Sequence, residues 1–360
     1  MRPMKILHVI TSLLYGGAEK LVTDLLPIMK DKGMDVELAV LNAVDTPLMQ
    51  ILTRKGIRVH RFSPEGCRLY TLSNLIKLRK LLSSTHYDIV HAHNTPCQLL
   101  LSLCKKPKGT KYVTTEHNTY NRRRSIALLK IADIMMYTRY DKIICVSDTV
   151  KQNLSEFAGK RIGEKCHVVR NGINVRDYLM PVKEIDLTRP ITVTMVAAFR
   201  KQKDHVTLLK AMTNLPDNYE LKLVGEGETQ THIKKLASEL GIASRVEFTG
   251  ATTNTAAALA QSDILVLSSH YEGLSLSSLE CLASGKPLIA SDAPGLTETV
   301  EGAGLIFKRN DHEELCYLIQ TMANDELLYK LISYRSQLRA LDYDISHTYN
   351  GYVDVYRLLT

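Results

Sequence analysis

Two glutamates in the second half of the chain are spaced in a way that suits a phosphorylated, hydroxyl-rich ligand. Glu272 follows the apolar run Ile264–Leu267, which predicts a buried strand, and Glu280 lies eight positions further on. Eight residues are a little over two helical turns, so a helix that starts near Glu272 would carry Glu280 on almost the same face. Backbone N–H groups at such a helix start are unpaired and attract anions. Taken singly, Glu272 also fits a helix cap and Glu280 a solvated helix face.

A cluster of cations near residue 200 is a second candidate for chemistry. The segment Ile191–Ala198 predicts a strand, and Arg200, Lys201 and Lys203 follow it. Cations at the end of a strand can neutralise a departing diphosphate, because they stabilise the developing negative charge. For any single lysine, a solvated basic turn is the simpler explanation.

Three histidines form a third candidate. His91, His93 and His117 stand at the ends of two predicted strands, Ile89–His91 and Tyr112–Glu116. A His-x-His pair with a third histidine could bind zinc, but no nearby carboxylate or cysteine completes an obvious ligand set. Structural histidines are commoner than zinc ligands, and the sequence predicts no metal site.

The residues from Glu272 to Glu298 occur in an order that resembles a known signature. Glu-Gly-Leu-x5-Glu is followed by Ala-x-Gly-x-Pro and then by Ser-Asp-x-x-Gly-x-x-Glu. This run resembles the family-four ("group 1") retaining glycosyltransferases of GT-B fold. The resemblance implies that Glu272 meets the donor sugar and Glu280 the nucleotide ribose. It also implies a donor-binding segment that presents backbone N–H groups to the diphosphate, formed by Gly273, Leu274, Ser275 and Leu276.

The resemblance extends to the first half of the chain. Gly16 and Gly17, between a predicted strand and a predicted helix, match the family's glycine loop, which implies that they face the donor diphosphate. By themselves they also fit a plain tight turn. His117 matches the family's histidine near the transferred sugar and is a predicted catalytic residue, while His93 is a weaker candidate.

Two further loops complete the donor site that the resemblance implies. Lys203 matches a lysine of the family, whereas Ala198 occupies the family's arginine position, so Arg200 is the candidate replacement. The resemblance places Gly225 and Gly227 near the nucleotide. As a dinucleotide fingerprint this second loop is incomplete, because the third glycine is missing.

Strand and helix patterns alternate along the whole chain, which predicts an α/β fold. Runs such as Lys5–Ile10 lack polar alternation and are typical of strands buried in a parallel sheet. With 360 residues the chain is long enough for two domains. We therefore predict two Rossmann-like domains that face each other across a cleft, as in GT-B proteins. An acceptor domain would span residues 1–178, a nucleotide-sugar domain residues 179–340, and a helix in residues 341–360 would cross back to the first domain.

The composition is that of an ordinary globular protein, with 45% apolar and 23% charged residues. No apolar run reaches the roughly 18–20 residues of a membrane span, and the first residues contain no secretory cleavage site. The seven cysteines are scattered and include no Cys-x-x-Cys pair. This pattern predicts neither a disulfide framework nor a zinc site, and it favours the cytoplasm.

Charge is divided unevenly between the two halves of the chain. Residues 1–180 contain 29 Lys and Arg against 15 Asp and Glu, whereas the remainder contains 17 against 23. The basic half predicts contact with something anionic. An apolar stretch that follows Tyr120–Arg124 favours a membrane surface or a lipid-linked acceptor, with a core helix as the alternative. Nucleic acid is not predicted, because interleaved aromatic platforms and known DNA-binding patterns are missing.

Together these features predict a metal-independent hexosyltransferase that needs no cofactor. It would move a sugar, with retention, from a nucleotide diphosphosugar, expected to be UDP-linked, to a glycan or lipid-linked acceptor. The expected setting is surface polysaccharide biosynthesis at the inner face of the membrane. Two alternatives stay open: a regulatory protein that holds a nucleotide sugar without turnover, which the alanine at position 198 favours, and an NAD-dependent oxidoreductase, which the incomplete glycine fingerprint disfavours.

Overall fold

The structure is a computed structural model that describes residues 2–14, 16–64, 69–117 and 126–360. It divides into two compact units, one comprising Met1–Asn171 with Ile345–Thr360 and the other Gly172–Asp344. Tyr178, the last residue of the predicted first domain, lies in the second unit, where its hydroxyl donates a hydrogen bond to Glu280 at 3.0 Å.

The first unit is built around one parallel sheet with helices connecting its strands. The strands within the described residues are β1 (Lys5–Ile10), β2 (Asp35–Asn42), β3 (Arg58–Ser63), β4 (Ile89–His93), β5 (Lys111–Glu116), β6 (Lys142–Cys145) and β7 (Cys166–Val168). Their order across the sheet is β3-β2-β1-β4-β5-β6-β7, with every pair parallel. Because β1 lies between β2 and β4, the strand order reverses at the β1/β4 pair, and ligands of such sheets bind beyond the strand ends at this switch point.

The helices of the first unit follow the predicted alternation. They are α1 (Gly17–Asp31), α2 (Pro47–Arg54), α3 (Leu72–Ser84), α4 (Thr95–Ser102), α5 (Ala127–Thr138), α6 (Asp148–Ala158) and α7 (Lys160–Gly163), together with α15 (Ile345–Arg357) at the end of the chain. Thr46, Thr71 and Ser147 cap three of them, each accepting a hydrogen bond from a backbone N–H of the first turn. The last helix packs into the core of this unit through Tyr352 and Tyr356, in agreement with the predicted fold.

The second unit repeats the same architecture with a smaller sheet. Its strands are β8 (Ile191–Val196), β9 (Tyr219–Val224), β10 (Val246–Gly250), β11 (Ile264–Leu267), β12 (Leu288–Ser291) and β13 (Leu305–Phe307), in the order β10-β9-β8-β11-β12-β13. Its helices are α8 (His205–Asn214), α9 (Gln230–Glu239), α10 (Thr255–Ala260), α11 (Leu276–Ala283), α12 (Thr297–Val300), α13 (His312–Asn324) and α14 (Glu326–Leu341). The switch point of this sheet is the β8/β11 pair.

Two properties of the whole chain bear on the sequence predictions. The cysteines within the described ranges are all free and buried. None of the helices that the structure describes combines the length and the apolar composition needed to cross a bilayer.

Candidate active site

A largely buried ion pair lies at the switch point of the second sheet. The Lys203 ammonium contacts Glu272 Oε1 at 2.5 Å, although the two residues are 69 positions apart. Lys203 follows β8 and Glu272 follows β11, the two neighbouring strands at which the order reverses. Only 15% of the Lys203 side chain and 8% of the Glu272 side chain are exposed, so little water screens the pair. The fold therefore joins the residue predicted to meet the diphosphate to the residue predicted to meet the sugar.

A strained turn holds Lys203 in place. Asp204 caps helix α8 with a left-handed backbone, φ +48°, and its carboxylate accepts a hydrogen bond from the Thr207 N–H at 3.3 Å. The Ser268 hydroxyl, at the end of β11, donates to the Asp204 carbonyl at 2.8 Å. Left-handed backbone at a residue other than glycine costs energy and persists only where the surroundings enforce it. These contacts fasten the lysine turn to the strand that leads to Glu272.

Glu272 lies in the loop before helix α11, not in the helix. The helix begins at Leu276, so the expectation that Glu272 and Glu280 share one helical face through their spacing is wrong. The loop is instead held by tertiary contacts: the Glu272 N–H donates to the Pro294 carbonyl at 2.9 Å, and the Ser269 hydroxyl donates to Glu272 Oε1 at 2.7 Å.

The start of helix α11 presents backbone N–H groups at the same end of the sheet. Ser275 is the residue before the first turn, and its side chain makes no capping hydrogen bond within the described part of the chain. Gly273 and Leu274 are partly exposed, whereas Ser275 and Leu276 are buried. An uncapped helix start with exposed residues in front of it is a suitable place for an anionic ligand.

Glu280 is buried on helix α11, with 5% of the residue exposed. Its Oε1 accepts a hydrogen bond from the Tyr178 hydroxyl at 3.0 Å, and the same hydroxyl lies 3.2 Å from Thr255 Oγ1. A carboxylate that is buried and hydrogen-bonded is not the solvated helix face that the simpler interpretation of the sequence assumed.

The Gly-x-Gly loop packs directly on the loop that follows β8. A Cβ atom on Gly225 would lie 2.1 Å from the Ala197 carbonyl oxygen, and one on Gly227 would lie 2.4 Å from that of Phe199. Both glycines have positive φ angles, +146° and +158°. Close backbone packing therefore requires these glycines whether or not a nucleotide lies beside them.

Ala198 and Arg200 differ in their access to solvent. Ala198 is partly buried in the loop after β8, whereas Arg200 is exposed and makes no side-chain ion pair or hydrogen bond to any residue that the structure describes. The Arg200 guanidinium is therefore available to an anion.

In the first unit, the glycine pair lies at the start of helix α1. Gly16 precedes the helix with an extended backbone, and Gly17 is its first residue. A Cβ atom on Gly16 would lie 2.3 Å from Glu19 Oε2, so this glycine leaves room for a carboxylate in the first turn. Asn94, which follows β4, donates to Glu19 Oε1 at 3.3 Å. The glycine loop and the end of β4 thus meet at the switch point of the first sheet.

Histidines from three strands line up at that same switch point. His8 Nδ1 lies 3.0 Å from His93 Nε2, and His93 Nδ1 lies 3.2 Å from His117 Nε2. His91 stands apart from this chain of hydrogen bonds, because its two nitrogens contact the Tyr356 hydroxyl and Thr115 Oγ1. Burial lowers the pKa of His8 to about 3 and that of His117 to about 4, since the charged imidazolium cannot be solvated.

A metal ion is a poor fit to this cluster. The nitrogens of His8, His91 and His93 come within 4.8 Å of one another, which is close enough for shared ligation. The ring planes, however, lie within 22° of parallel, His8 Nδ1 and His93 Nε2 already share a hydrogen bond, and both His91 nitrogens contact other residues. Lone pairs in near-parallel ring planes do not converge on one point, as tetrahedral ligation requires.

Two family profiles match the chain and together cover most of it. The family described as "Glycosyltransferase Family 4" matches residues 15–177, and the family described as "Glycosyl transferases group 1" matches residues 180–339. The chain belongs to the group 1 glycosyltransferases. Their GT-B fold is also that of this transferase, as the following comparisons illustrate.

Two relatives and one solved structure each cover nearly the full length of this transferase. An uncharacterized glycosyltransferase of Haemophilus influenzae is 25% identical over 92% of this chain and 93% of its own. The UDP-Gal:alpha-D-GlcNAc-diphosphoundecaprenol alpha-1,3-galactosyltransferase of Escherichia coli is 25% identical over 90% of this chain and 89% of its own. The solved structure of Anabaena HepE in complex with UDP-glucose superimposes with a TM-score of 0.85 at 20% identity, over 99% of each chain.

Two contacts of the transferase were not identified from its sequence. His8 lies in the middle of an apolar strand, and only the pairing of β1 with β4 brings it to His93. Tyr178 was placed at the end of the predicted first domain, and only the fold shows that its hydroxyl contacts Glu280 and Thr255. The predicted membrane-surface residues Tyr120–Arg124 lie outside the described residues.

Proposed function

We propose that this glycosyltransferase transfers a hexosyl group, with retention, from a UDP-linked sugar to a glycan or lipid-linked acceptor. Two observations on other proteins support the donor class. The Escherichia coli relative is a UDP-Gal-dependent transferase with a diphosphoundecaprenol-linked acceptor, and HepE binds UDP-glucose. A relative from Rhizobium meliloti, 31% identical over 55% of this chain, is a lipopolysaccharide core biosynthesis glycosyltransferase.

The observation that carries the proposal is the buried pair of Lys203 and Glu272 at the β8/β11 switch point. A bound donor would draw the lysine ammonium to its diphosphate and leave the Glu272 carboxylate to accept hydrogen bonds from the sugar. The cation would stabilise the charge that develops as the sugar–phosphate bond breaks, and this kind of fixed electrostatic stabilisation is commonly the largest catalytic contribution. Arg200, exposed and three residues away in sequence, would supply the second positive charge.

The remaining predicted residues would position the donor. Backbone N–H groups near Gly273, Leu274, Ser275 and Leu276 would bind the diphosphate, and Glu280 would hold the ribose once the Tyr178 hydroxyl is shared or displaced. In the first unit, Gly16 and Gly17 would approach the diphosphate, and His117 would contact the transferred sugar.

We propose that the reaction needs neither a metal nor a cofactor, because protein cations and helix N–H groups neutralise the leaving group. The bond from the anomeric carbon to the diphosphate breaks, and a bond to the acceptor oxygen forms on the same face of the sugar. The acceptor hydroxyl gives its proton to the departing phosphate oxygen. Positioning and exclusion of water then account for the rate.

We further propose that the protein works in the cytoplasm at an anionic membrane surface. Its first 180 residues contain 29 Lys and Arg against 15 Asp and Glu, and a lipid-linked acceptor would be presented at such a surface.

The test combines ligand binding with turnover. Thermal-shift measurements with a panel of nucleotide sugars identify the donor, and NMR of the product reports the anomeric configuration. Replacing Glu272 by glutamine keeps the shape of the side chain and removes its charge, so we expect donor turnover to fall at least about 100-fold. Glu313→Gln, an exposed glutamate of helix α13, is the matched control and should leave turnover unchanged.

The other outcomes select the alternatives. Saturable donor binding with no transfer or hydrolysis in the unmodified protein would show a nucleotide-sugar-binding regulator, the candidate favoured by the uncharged Ala198. Binding of NAD without binding of UDP would contradict both functions.

A further inference from the structure

Three imidazole rings in the first unit are joined end to end. His8 comes from β1, His93 is the last residue of β4, and His117 follows β5 directly. Each ring contacts the next through one nitrogen pair, at 3.0 Å from His8 to His93 and at 3.2 Å from His93 to His117. Both distances are those of real hydrogen bonds between nitrogens, and His8 and His93 are fully buried.

The three rings must share their protons in a coordinated way. Burial lowers the pKa values of all three, so each ring is neutral near pH 7 and carries one N–H. One nitrogen–nitrogen contact accommodates one proton. Three neutral rings with two such contacts therefore have only two complete arrangements, in which all three carry the proton on Nδ1 or all three carry it on Nε2.

The two outer rings of the row, His8 and His117, distinguish these arrangements. His8 Nε2 and His117 Nδ1 are both shielded from water, and neither has a hydrogen-bond partner among the described residues. If every proton lies on Nε2, His8 leaves an unpaired N–H in the core between β2 and β4. If every proton lies on Nδ1, His8 leaves only an unpaired acceptor, and the unpaired N–H is instead on His117, which is partly exposed after β5. An unpaired N–H costs more on the fully buried His8 than on His117, where a ligand can accept it, and this difference favours the Nδ1 arrangement.

We propose that His8 and His93 are positioning residues that hold His117 neutral, with its proton on Nδ1, so that it donates a hydrogen bond to an oxygen of the bound sugar. The proposal rests on the proposed function insofar as it places the sugar at His117. The state of the ring itself does not depend on that placement. A donor is the useful partner there, because a sugar hydroxyl or ring oxygen can accept and is then fixed in orientation.

His91 provides the matched comparison within the same strand. It is fully buried, and its ring centroid lies 4.5 Å from that of His93. Its nitrogens, however, contact Tyr356 and Thr115 and not the row of three hydrogen-bonded rings. A substitution at His91 therefore disturbs the same core without interrupting the row of three rings.

The first experiment determines the tautomer in the ligand-free protein. Long-range proton–nitrogen NMR on the full chain, labelled with 15N-histidine and assigned with His117→Asn, reports which ring nitrogen carries the proton. We expect His117 to be neutral with the proton on Nδ1 at pH 7. In His93→Phe we expect the proton to move to Nε2, the form that free imidazole prefers in water. In His91→Phe the Nδ1 form should persist.

The second experiment measures donor turnover in the same variants. We expect His93→Phe and His8→Phe to lower kcat about tenfold with KM nearly unchanged, His91→Phe to change it less than twofold, and His93→Asn to recover most of the loss. The asparagine amide can donate to His117 Nε2 in place of the lost Nδ1–H. Circular dichroism and thermal melts identify any variant that fails to fold, and His93→Ala, which also lacks a donor to His117, then replaces His93→Phe in both experiments.

Each result decides a separate point. A proton on His117 Nε2, or a charged ring, in the unmodified protein would overturn the proposed positioning. If the tautomers are as expected but His93→Phe and His91→Phe turn over the sugar donor equally fast, His117 does not contact the sugar. That result would overturn its role as a hydrogen-bond donor to the sugar. If the unmodified protein neither binds nor turns over any nucleotide sugar, the result would instead contradict the proposed function.

Discussion

The switch points of the two sheets carry different kinds of polar groups. In the first unit the β1/β4 pair brings together neutral groups: three hydrogen-bonded imidazoles, with His91, Thr115 and two tyrosines beside them. In the second unit the β8/β11 pair brings together charges, Lys203 and Glu272. Both sets lie at the equivalent place of the same architecture, and most of their members are buried.

The difference teaches that the fold determines where a polar cluster forms, while the residues determine its charge. Burial disfavours the charged imidazolium, so the first cluster is stable only while its histidines stay neutral. A buried carboxylate stays charged because the ammonium beside it offsets the loss of solvation, so the stability of the second cluster depends on both Lys203 and Glu272. The two units should therefore respond differently to acid and to substitution.

Acid should affect the first unit most. The pKa values of His8 and His117 are lowered from 6.5 to about 3 and about 4, and those of His91 and His93 also lie well below 6.5. The unfolded chain then binds protons at a higher pH than the folded one, so stability is complete above pH 6.5 and is lost as the pH falls from 6.5 towards 4. Between pH 7 and 5 the loss should reach about 2 kcal/mol for a single ring such as His8 or His117.

Native-state hydrogen exchange read by mass spectrometry, corrected for intrinsic rates, measures this loss in each unit separately. The second unit supplies the internal control. Among its described residues, His205 is the one histidine whose pKa burial lowers strongly, so acid should destabilise this unit less than the first. Equal destabilisation of both units between pH 7 and 5 would contradict the contrast.

Removing the ammonium should have the next largest effect. Lys203→Ala removes the ammonium from the buried Glu272 carboxylate, which keeps its hydrogen bonds from Ser269 and Gln202. We expect a loss of about 3 kcal/mol in the free energy of unfolding of the second unit, because breaking a buried ion pair by removing one member is costly. Urea denaturation measures it.

Lys201→Ala is the matched control for that substitution. Lys201 lies on the same turn, is exposed and should cost less than about 0.5 kcal/mol. If the two alanine variants are equally stable, the ion pair contributes nothing to the second unit.

A methyl group at Gly295 should have a smaller effect, confined to the charged switch point. Gly295 has φ +83°, and a Cβ atom there would lie 2.5 Å from the Glu272 carbonyl oxygen. Gly302 has a similar φ, +77°, with nothing within 4 Å of its Cβ position. Gly302→Ala should therefore cost about 1 kcal/mol from backbone strain alone, and Gly295→Ala about 1 kcal/mol more. Thermal unfolding compares them, and identical melting temperatures would show that the Glu272 loop yields freely.

Much of the fold could be predicted from local patterns. The apolar runs of β1 and β11 lack polar alternation because parallel strands are buried on both faces, and this property is visible without coordinates. Capping residues such as Thr46 and Ser147 mark helix starts for a similarly local reason. The start of helix α11 was misjudged, because Glu272 and Ser275 are both residue types that occur at helix starts, and the bond from the Glu272 N–H to the distant Pro294 carbonyl is not visible in the local sequence.

By itself, then, the sequence determined the alternation of strands and helices, the absence of polar alternation in the strands, and a motif order specific enough to indicate the family. The tertiary structure alone decided which distant residues meet. Lys203 reaches Glu272 across 69 positions, and His8 reaches His93 across 85, because strand order in a parallel sheet is set by helix packing and not by neighbours in the chain. The charge state of each cluster depends on these tertiary contacts, because its residues are buried and paired only once the strands lie side by side.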